Sequence, residues 1–150
     1  MKFNSRSALI AACVIVGCHA KSSLERQVQG FIATKCHGVW PCSVNLRDAT
    51  SFEWDELYVF KYNASKSEIE SATHATLVDY KELTRYMVFV RAGKAIRIES
   101  EPTNVEHPIK NELVFEIPDE NVYRAFPAST EFTVIRADSE EGSYFVLKAE

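Results

Sequence analysis

The segment at residues 52–62, which reads FEWDELYVFKY, constrains the fold more than any other part of this sequence. Residues 57–60 within it are apolar at both odd and even positions, so an extended strand here would bury both of its faces. Aromatic side chains recur on one side of that strand, with Glu56 interrupting the row: Phe52, Trp54, Tyr58, Phe60 and Tyr62. We expect a central strand whose aromatic row belongs to the core, and a ligand-binding platform is the alternative.

Two amphipathic helices flank this strand in the sequence. Before it, residues 23–35 carry one apolar stripe at helical spacing, formed by Leu24, Val28, Phe31 and Ile32. Ser22 and Glu25 fit a capping box at the start of this first helix. After the strand, Ser65 and Glu68 fit a second capping box, and the stripe that follows it is shorter and weaker.

Short strand patterns account for most of the remaining chain. Alternating residues on either side of Ala92-Gly93 predict a hairpin, because this dipeptide suits a tight turn. Further strands are expected at residues 43–46, 112–117, 131–136 and 143–148, whereas residues 121–130 have no clear pattern. The sequence thus predicts a single α+β domain over residues 23–150. It would be an antiparallel sheet of about five to seven strands, packed by the N-terminal helix and the second, short helix.

The N-terminus has the three-part pattern of a secretory signal. Lys2 and Arg6 make it basic, and residues 8–16 form an apolar run that is too short to span a bilayer. The run leads into residues 15–18, which read IVGC and resemble the bacterial lipobox. That resemblance implies cleavage just before Cys18 and acylation of its thiol and amino group.

The lipobox resemblance divides the chain into a signal peptide at residues 1–17, a lipidated tether at 18–22 and the folded periplasmic domain. Acylated Cys18 would anchor the protein, because several acyl chains hold a protein durably in a bilayer. His19, rather than aspartate, follows the cysteine, which by enteric sorting rules implies the periplasmic face of the outer membrane. Two alternatives stay open: a plain secreted protein cut after Ala20, and a buried helix, which the charged start of the chain disfavours.

Charge and hydropathy exclude two classes of protein. The 150-residue chain has a formal net charge of −4. Removal of residues 1–17 takes away two of the 17 basic groups, which leaves 15 against 21 acidic groups, or −6. Nucleic acid is therefore not an expected partner, because phosphate binding needs a basic face. No apolar run reaches the roughly 18 residues that suggest a membrane-spanning helix.

Cys36 and Cys42 are the two cysteines that remain once residues 1–18 are set aside. In the oxidising envelope they are expected to form a disulfide. The intervening residues 37–41 include a glycine and a proline, which let the chain double back. The alternative is a metal site that would add His37 to the two cysteines, but this set lacks a fourth ligand.

The loop between these cysteines is also the candidate contact surface. Val39 and Trp40 lie in this short loop, whose conformation the disulfide would restrict. An exposed aromatic side chain here would suit partner binding. The alternative for Trp40 is packing against the sheet.

Motifs for catalysis, cofactor binding or metal binding are missing from the sequence. It has no G-x-S-x-G nucleophile elbow, no H-E-x-x-H zinc pair and no glycine-rich phosphate loop. The histidines are scattered, at positions 19, 37, 74 and 107. Carboxylate pairs such as Glu99 and Glu101 share a strand face and are expected to be solvated. We therefore expect no enzyme, no catalytic residue, no cofactor and no metal ion.

The mature segment is similar to a group of small bacterial envelope lipoproteins that share the stretch Phe-x-Trp-Asp-x-x-Tyr-x-Phe. The matching residues here are Phe52, Trp54, Asp55, Tyr58 and Phe60. The resemblance implies no activity. We expect a non-catalytic binding or accessory module, with the membrane and an envelope protein as partners. The alternative is an inhibitor or immunity protein against a cell-wall hydrolase such as a lysozyme-like enzyme, because an acidic surface suits a cationic target.

Overall fold

The computed structural model describes residues 23–150. The predicted signal peptide at residues 1–17, the tether at 18–22 and the acylated Cys18 lie outside the described residues, so signal cleavage and lipidation stay predictions. Neither helix in the described part of the chain is long and apolar enough to cross a membrane.

Two helices and eight strands make up the described chain, which confirms the predicted α+β class. The helices are α1 (Leu24–Cys36) and α2 (Lys66–Thr73), and a short 3-10 helix (Leu46–Ala49) follows the first strand. The strands are β1 (Cys42–Asn45), β2 (Glu56–Phe60), β3 (Thr84–Arg91), β4 (Lys94–Pro102), β5 (Leu113–Phe115), β6 (Tyr123–Pro127), β7 (Glu131–Ser139) and β8 (Gly142–Ala149). The hairpin turn at Ala92-Gly93 is present as predicted, with φ of 49° and 72°.

The strands form two four-stranded sheets, where the sequence predicted one sheet of about five to seven strands. One sheet has the order β1-β7-β8-β5 and the other β4-β3-β2-β6. The pairings are antiparallel except that of β5 with β8, which is parallel. Alternation indicates which face of a strand is buried but not which strand completes its hydrogen bonds, so the division into two sheets could not be predicted. Strand β6 even lies in the segment without a clear pattern.

Strand β2 is covered on both faces, as predicted. Leu57 and Val59 belong to the core between the two sheets, and Phe60 belongs to a second core. Trp54 is buried as expected, but it packs edge-on against Phe89 in the inter-sheet core, with ring centroids 5.3 Å apart. The predicted single row of aromatic side chains is thus divided between two cores. Trp54 lies two residues before the first residue of β2, so its side chain does not follow the alternation of that strand.

The second core is smaller and lies against α2. Ile69 of α2 is buried together with Tyr86 and Val88 of β3. Tyr58 is half-buried at the margin of this core, and its ring centroid lies 6.0 Å from that of Tyr123. The aromatic residues of β2 therefore contribute to packing.

Helix α1 begins at a different cap from the predicted one. The Ser23 hydroxyl accepts a hydrogen bond from the Arg26 backbone N–H at 3.3 Å, which makes Ser23 the cap where the sequence predicted Ser22. Glu25 is consequently not a capping residue, and its carboxylate is buried beside Arg85. In α2, by contrast, the predicted capping box is confirmed. Because the cap lies one residue later than predicted, Glu25 does not cap the helix and its carboxylate lies against the core.

Candidate functional site

A cleft of about 290 Å³ opens between β2 and β5, where the two sheets meet. Its walls are mostly apolar and include Val59, Phe60, Val114, Phe115 and Ile117. A third side is closed by residues 103–108, which we term the cleft loop. Buried Arg85 and Glu112 also line the cleft, so the apolar space meets two charged side chains at this point.

Arg85 connects the cleft to a buried ion-pair network, and only 7% of this residue is exposed. Its Nη2 atom lies 2.7 Å from Oε1 of Glu25, and its Nη1 atom lies 3.3 Å from Oε1 of Glu112. Nη1 also donates to the Leu113 carbonyl oxygen. The Nε atom is buried and has no hydrogen-bond partner among the described residues. The guanidinium of Arg85 therefore forms ion pairs with two carboxylates, those of Glu25 and Glu112.

Both of these carboxylates accept further hydrogen bonds. Oε1 of Glu25 accepts from the Leu113 backbone N–H at 2.8 Å. Glu112 accepts from the Thr103 hydroxyl at 2.8 Å and from the Ile109 backbone N–H at 2.9 Å. Such donors replace lost water around an ionised carboxylate, which a buried charge needs. The network ties α1, β3, β5 and the cleft loop together.

Glu101 is a third carboxyl group at this junction, and it is the cross-strand partner of Arg85 in the β3–β4 pairing. Burial raises the pKa of Glu101 to about 7, helped by the charge of Glu25 and a hydrogen bond with it, while Arg85 opposes the rise. The expectation that Glu101 is solvated is wrong, because the first turn of α1 lies beside the end of β4 and leaves Glu101 only 9% exposed. Glu101 is not among the residues that line the cleft.

The cleft loop is fastened to the β7–β8 hairpin. Nε2 of His107 lies 3.0 Å from Oε1 of Glu141, and the Ser139 hydroxyl donates to the Pro108 carbonyl oxygen at 2.7 Å. The outer wall of the cleft is thus held by polar contacts at its surface.

The disulfide between Cys36 and Cys42 is present, with Cα atoms 5.7 Å apart. It joins the end of α1 to the start of β1. The structure separates the two residues of the predicted contact surface. Val39 is 68% exposed, whereas Trp40 is half-buried with its ring centroid 5.5 Å from that of Phe145. A contact role for the loop stays a prediction, and Val39 is the residue that remains accessible for it.

Sequence reasoning missed the charged cluster at the cleft. Its members are Glu25, Arg85, Glu101 and Glu112, which are widely separated along the chain. No local spacing relates them, and the only signal was an unexplained charge in an otherwise apolar strand pattern at Arg85. Within residues 23–150, no group of three or more His, Cys, Asp or Glu side chains is arranged to hold a metal ion.

Two other surfaces distinguish the expected functions, since an acidic tip favours an inhibitor and an apolar patch favours an accessory module. The β7–β8 hairpin carries Asp138, Glu140 and Glu141 in exposed positions. Val78, in the loop between α2 and β3, is 86% exposed and lines a shallow hollow with Ile98 of β4, which is also exposed. Both kinds of surface are present, in different places.

No family model, no curated protein and no solved structure matches the chain. The function is therefore argued from the cleft, from the charged side chains at it and from the pattern of the N-terminal sequence.

Proposed function

We propose that this chain is a non-catalytic lipoprotein of the bacterial envelope whose folded domain binds an apolar ligand in the cleft between β2 and β5. The observation that carries the proposal is the lining of the cleft, which combines apolar walls with Arg85 and Glu112, whose charges are already paired. Paired charges leave the apolar surface as the main source of binding energy. The basic start, apolar run and lipobox-like residues 15–18 support the anchor.

The ligand that fits is one acyl chain of a lipid. A water molecule occupies about 30 Å³ in the liquid and a methylene group is of similar size, so the cleft holds roughly ten chain atoms. Lys61 and Glu106 also line the cleft and carry opposite charges, which select no particular headgroup charge. The acyl chain would bury its apolar surface against the walls and leave its headgroup in water.

The proposed anchor would keep the cleft close to lipid. Cys18 precedes Ser23 by five residues, which reach at most about 18 Å when fully extended. Glu25 in the first turn of α1 contacts Arg85, and Arg85 lines the cleft. An acylated Cys18 would therefore hold this cleft near the membrane surface, where acyl chains are abundant.

Calorimetric titration with decanoate tests the cleft. The soluble mature chain, secreted without its lipid, should bind decanoate. Val105→Trp places a large side chain in the cleft loop and should abolish the binding. Val78→Trp is the matched control, since it is an exposed valine outside the cleft, and it should bind like the parent. Absence of decanoate binding in the parent, or unchanged binding in Val105→Trp, would contradict the proposed ligand site.

Mass spectrometry of the full-length protein expressed in a bacterium tests the anchor separately. The mature chain should begin at Cys18 and carry three acyl chains, and Cys18→Ser should remove them. An unmodified mature chain that begins at Lys21 would contradict the lipoprotein proposal without affecting the result for the cleft.

An inhibitor of a cell-wall hydrolase is the second candidate, and the exposed acidic hairpin favours it. Glu140 is exposed at the tip between β7 and β8, where it could meet a cationic enzyme. A muramidase assay with the mature chain tests this candidate: Glu140→Lys should weaken inhibition, whereas Glu120→Lys, at an exposed acidic residue elsewhere, should not. A parent protein that leaves muramidase activity unchanged would remove this candidate.

A further inference from the structure

Three carboxyl groups and one guanidinium are buried together at the junction of α1 and the two sheets. They belong to Glu25, Arg85, Glu101 and Glu112, which we term the charged cluster, and each of these residues is at most 9% exposed. If all four groups were ionised, the cluster would hold an uncompensated charge of two electrons in the protein interior. Burial of uncompensated charge is costly, and a carboxyl group in such a site takes up a proton instead.

The hydrogen bonds indicate which carboxyl group holds that proton. Glu25 and Glu112 both accept hydrogen bonds from the guanidinium of Arg85 and from backbone N–H groups, so their oxygen atoms already act as acceptors. Arg85 is thereby committed to two carboxylates, and its remaining Nε atom has no partner in the described part of the chain. Glu101 lies opposite Arg85 in the β3–β4 pairing, and Arg85 contacts Glu25, so the buried Glu101 carboxyl group lies close to that of Glu25. Only a protonated carboxyl group can donate to a carboxylate.

We propose that a proton held between Glu101 and Glu25 clamps α1 to the end of β4, so that the domain loosens when this proton is lost as the pH rises. The charged groups around Glu101 come from every neighbouring element: Glu25 from α1, Arg85 from β3 and Glu99 from β4 itself. Glu112, beside β5, acts on it through their shared partner Arg85. The clamp requires neither a lipid at Cys18 nor a ligand in the cleft, so it goes beyond the proposed function.

The direction of the pH effect follows from proton linkage. The pKa of Glu101 is about 7 in the folded chain against an ordinary value of 4.5. The folded state therefore binds this proton more tightly than the unfolded chain does. The contribution of Glu101 to stability is therefore fully present below the ordinary value, falls as the pH rises from there to about 7, and is lost above.

Thermal unfolding of the soluble mature chain between about pH 5 and about pH 8 tests the clamp. The melting temperature of the parent should fall by several degrees over this range. Glu101→Gln keeps a neutral side chain that can donate to Glu25, so its melting temperature should be flat and should exceed that of the parent at pH 8. Glu99→Gln is the matched control on the same strand, and it should keep the fall seen in the parent.

The proposal would be overturned if the melting temperature of Glu101→Gln still fell as the pH rose. It would also be overturned if the melting temperature of the parent did not fall. Carbon-detected NMR of the Glu101 carboxyl group in the parent protein gives a second readout that needs no variant. A titration midpoint near 7 would support the clamp, and a midpoint near 4.5 would overturn it. Hydrogen exchange should also become faster in the first turn of α1 above the midpoint, after correction for the intrinsic rate.

Discussion

The inter-sheet core and the charged cluster lie at the same junction of the two sheets but stabilise it in different ways. In the core, Trp54 and Phe89 bury apolar surface, and their contribution does not depend on pH. In the cluster, Arg85 is buried with three carboxyl groups, and its contribution depends on where the protons are. The apolar region should therefore be insensitive to a change of pH, whereas the charged region should respond to one.

Removal of the buried tryptophan is expected to have the largest effect. Trp54→Ala should lower the free energy of unfolding by about 3–5 kcal/mol, because it leaves a cavity and loses the packing against Phe89. The loss should be the same at acidic and alkaline pH. Denaturant unfolding at two pH values measures it, and Trp40→Ala, at a half-buried tryptophan, should cost less.

Fluorescence gives the control for this prediction. The chain has two tryptophans, so Trp40→Phe leaves Trp54 as the single emitter. Acrylamide should quench this emission slowly, as expected of a buried indole. Ready quenching, together with parent-like stability of Trp54→Ala, would contradict the assignment of Trp54 to the core.

Removal of the buried guanidinium should come next, at about 3 kcal/mol, because Arg85→Met leaves buried carboxylates without a counter-charge. Unlike the tryptophan variant, this variant should lose more stability at alkaline than at acidic pH. Without the cation the folded state binds protons more tightly, so its stability falls more steeply as the pH rises. Arg97→Met is the control, since Arg97 pairs with Glu99 in a partly exposed position. A pH-independent loss in Arg85→Met would remove the distinction between the two regions.

The disulfide should contribute about 2 kcal/mol, because it closes a short loop in the unfolded chain. The double variant Cys36→Ser with Cys42→Ser should show this loss in denaturant unfolding, with little dependence on pH. Peptide mapping without reductant should recover the two cysteines joined. Two freely alkylated cysteines in protein from the envelope would contradict the disulfide in the cell.

An exposed ion pair should have the smallest effect and sets the scale for the buried one. Nη2 of Arg91 lies 2.5 Å from Oε2 of Glu53, and more than half of each side chain is exposed. Glu53→Gln should change the free energy of unfolding by less than about 0.5 kcal/mol, because water screens the pair. A loss comparable with that of Arg85→Met would show that burial is not what distinguishes the charged cluster.

Several elements could be predicted because their signals are local. The capping box of Ser65 and Glu68 and the turn at Ala92-Gly93 each involve residues within one turn of chain. Burial of β2 on both faces follows from its apolar residues at odd and even positions. These features depend on backbone conformation and on the alternation of neighbouring side chains, both of which the sequence specifies directly.

The candidate site could not be predicted, because its members meet only through tertiary packing. Glu25 was assigned to a capping box and Glu101 to a solvated pair, and each assignment is reasonable for the residue's own neighbours in sequence. Both carboxyl groups became buried because α1 lies beside the end of β4.

The sequence by itself determined the α+β class, the two helices, most strands and the cysteine pair. Tertiary structure alone decided the division into two sheets, the pairing of β6 with β2, the parallel pairing of β5 with β8 and the burial of four charged side chains. The physical reason is the range of the interactions. Local patterns indicate which side chains prefer to be buried. The identity of their partners depends on contacts between segments that are distant in sequence. Such contacts cost loop-closure entropy, which is offset only when the whole core forms.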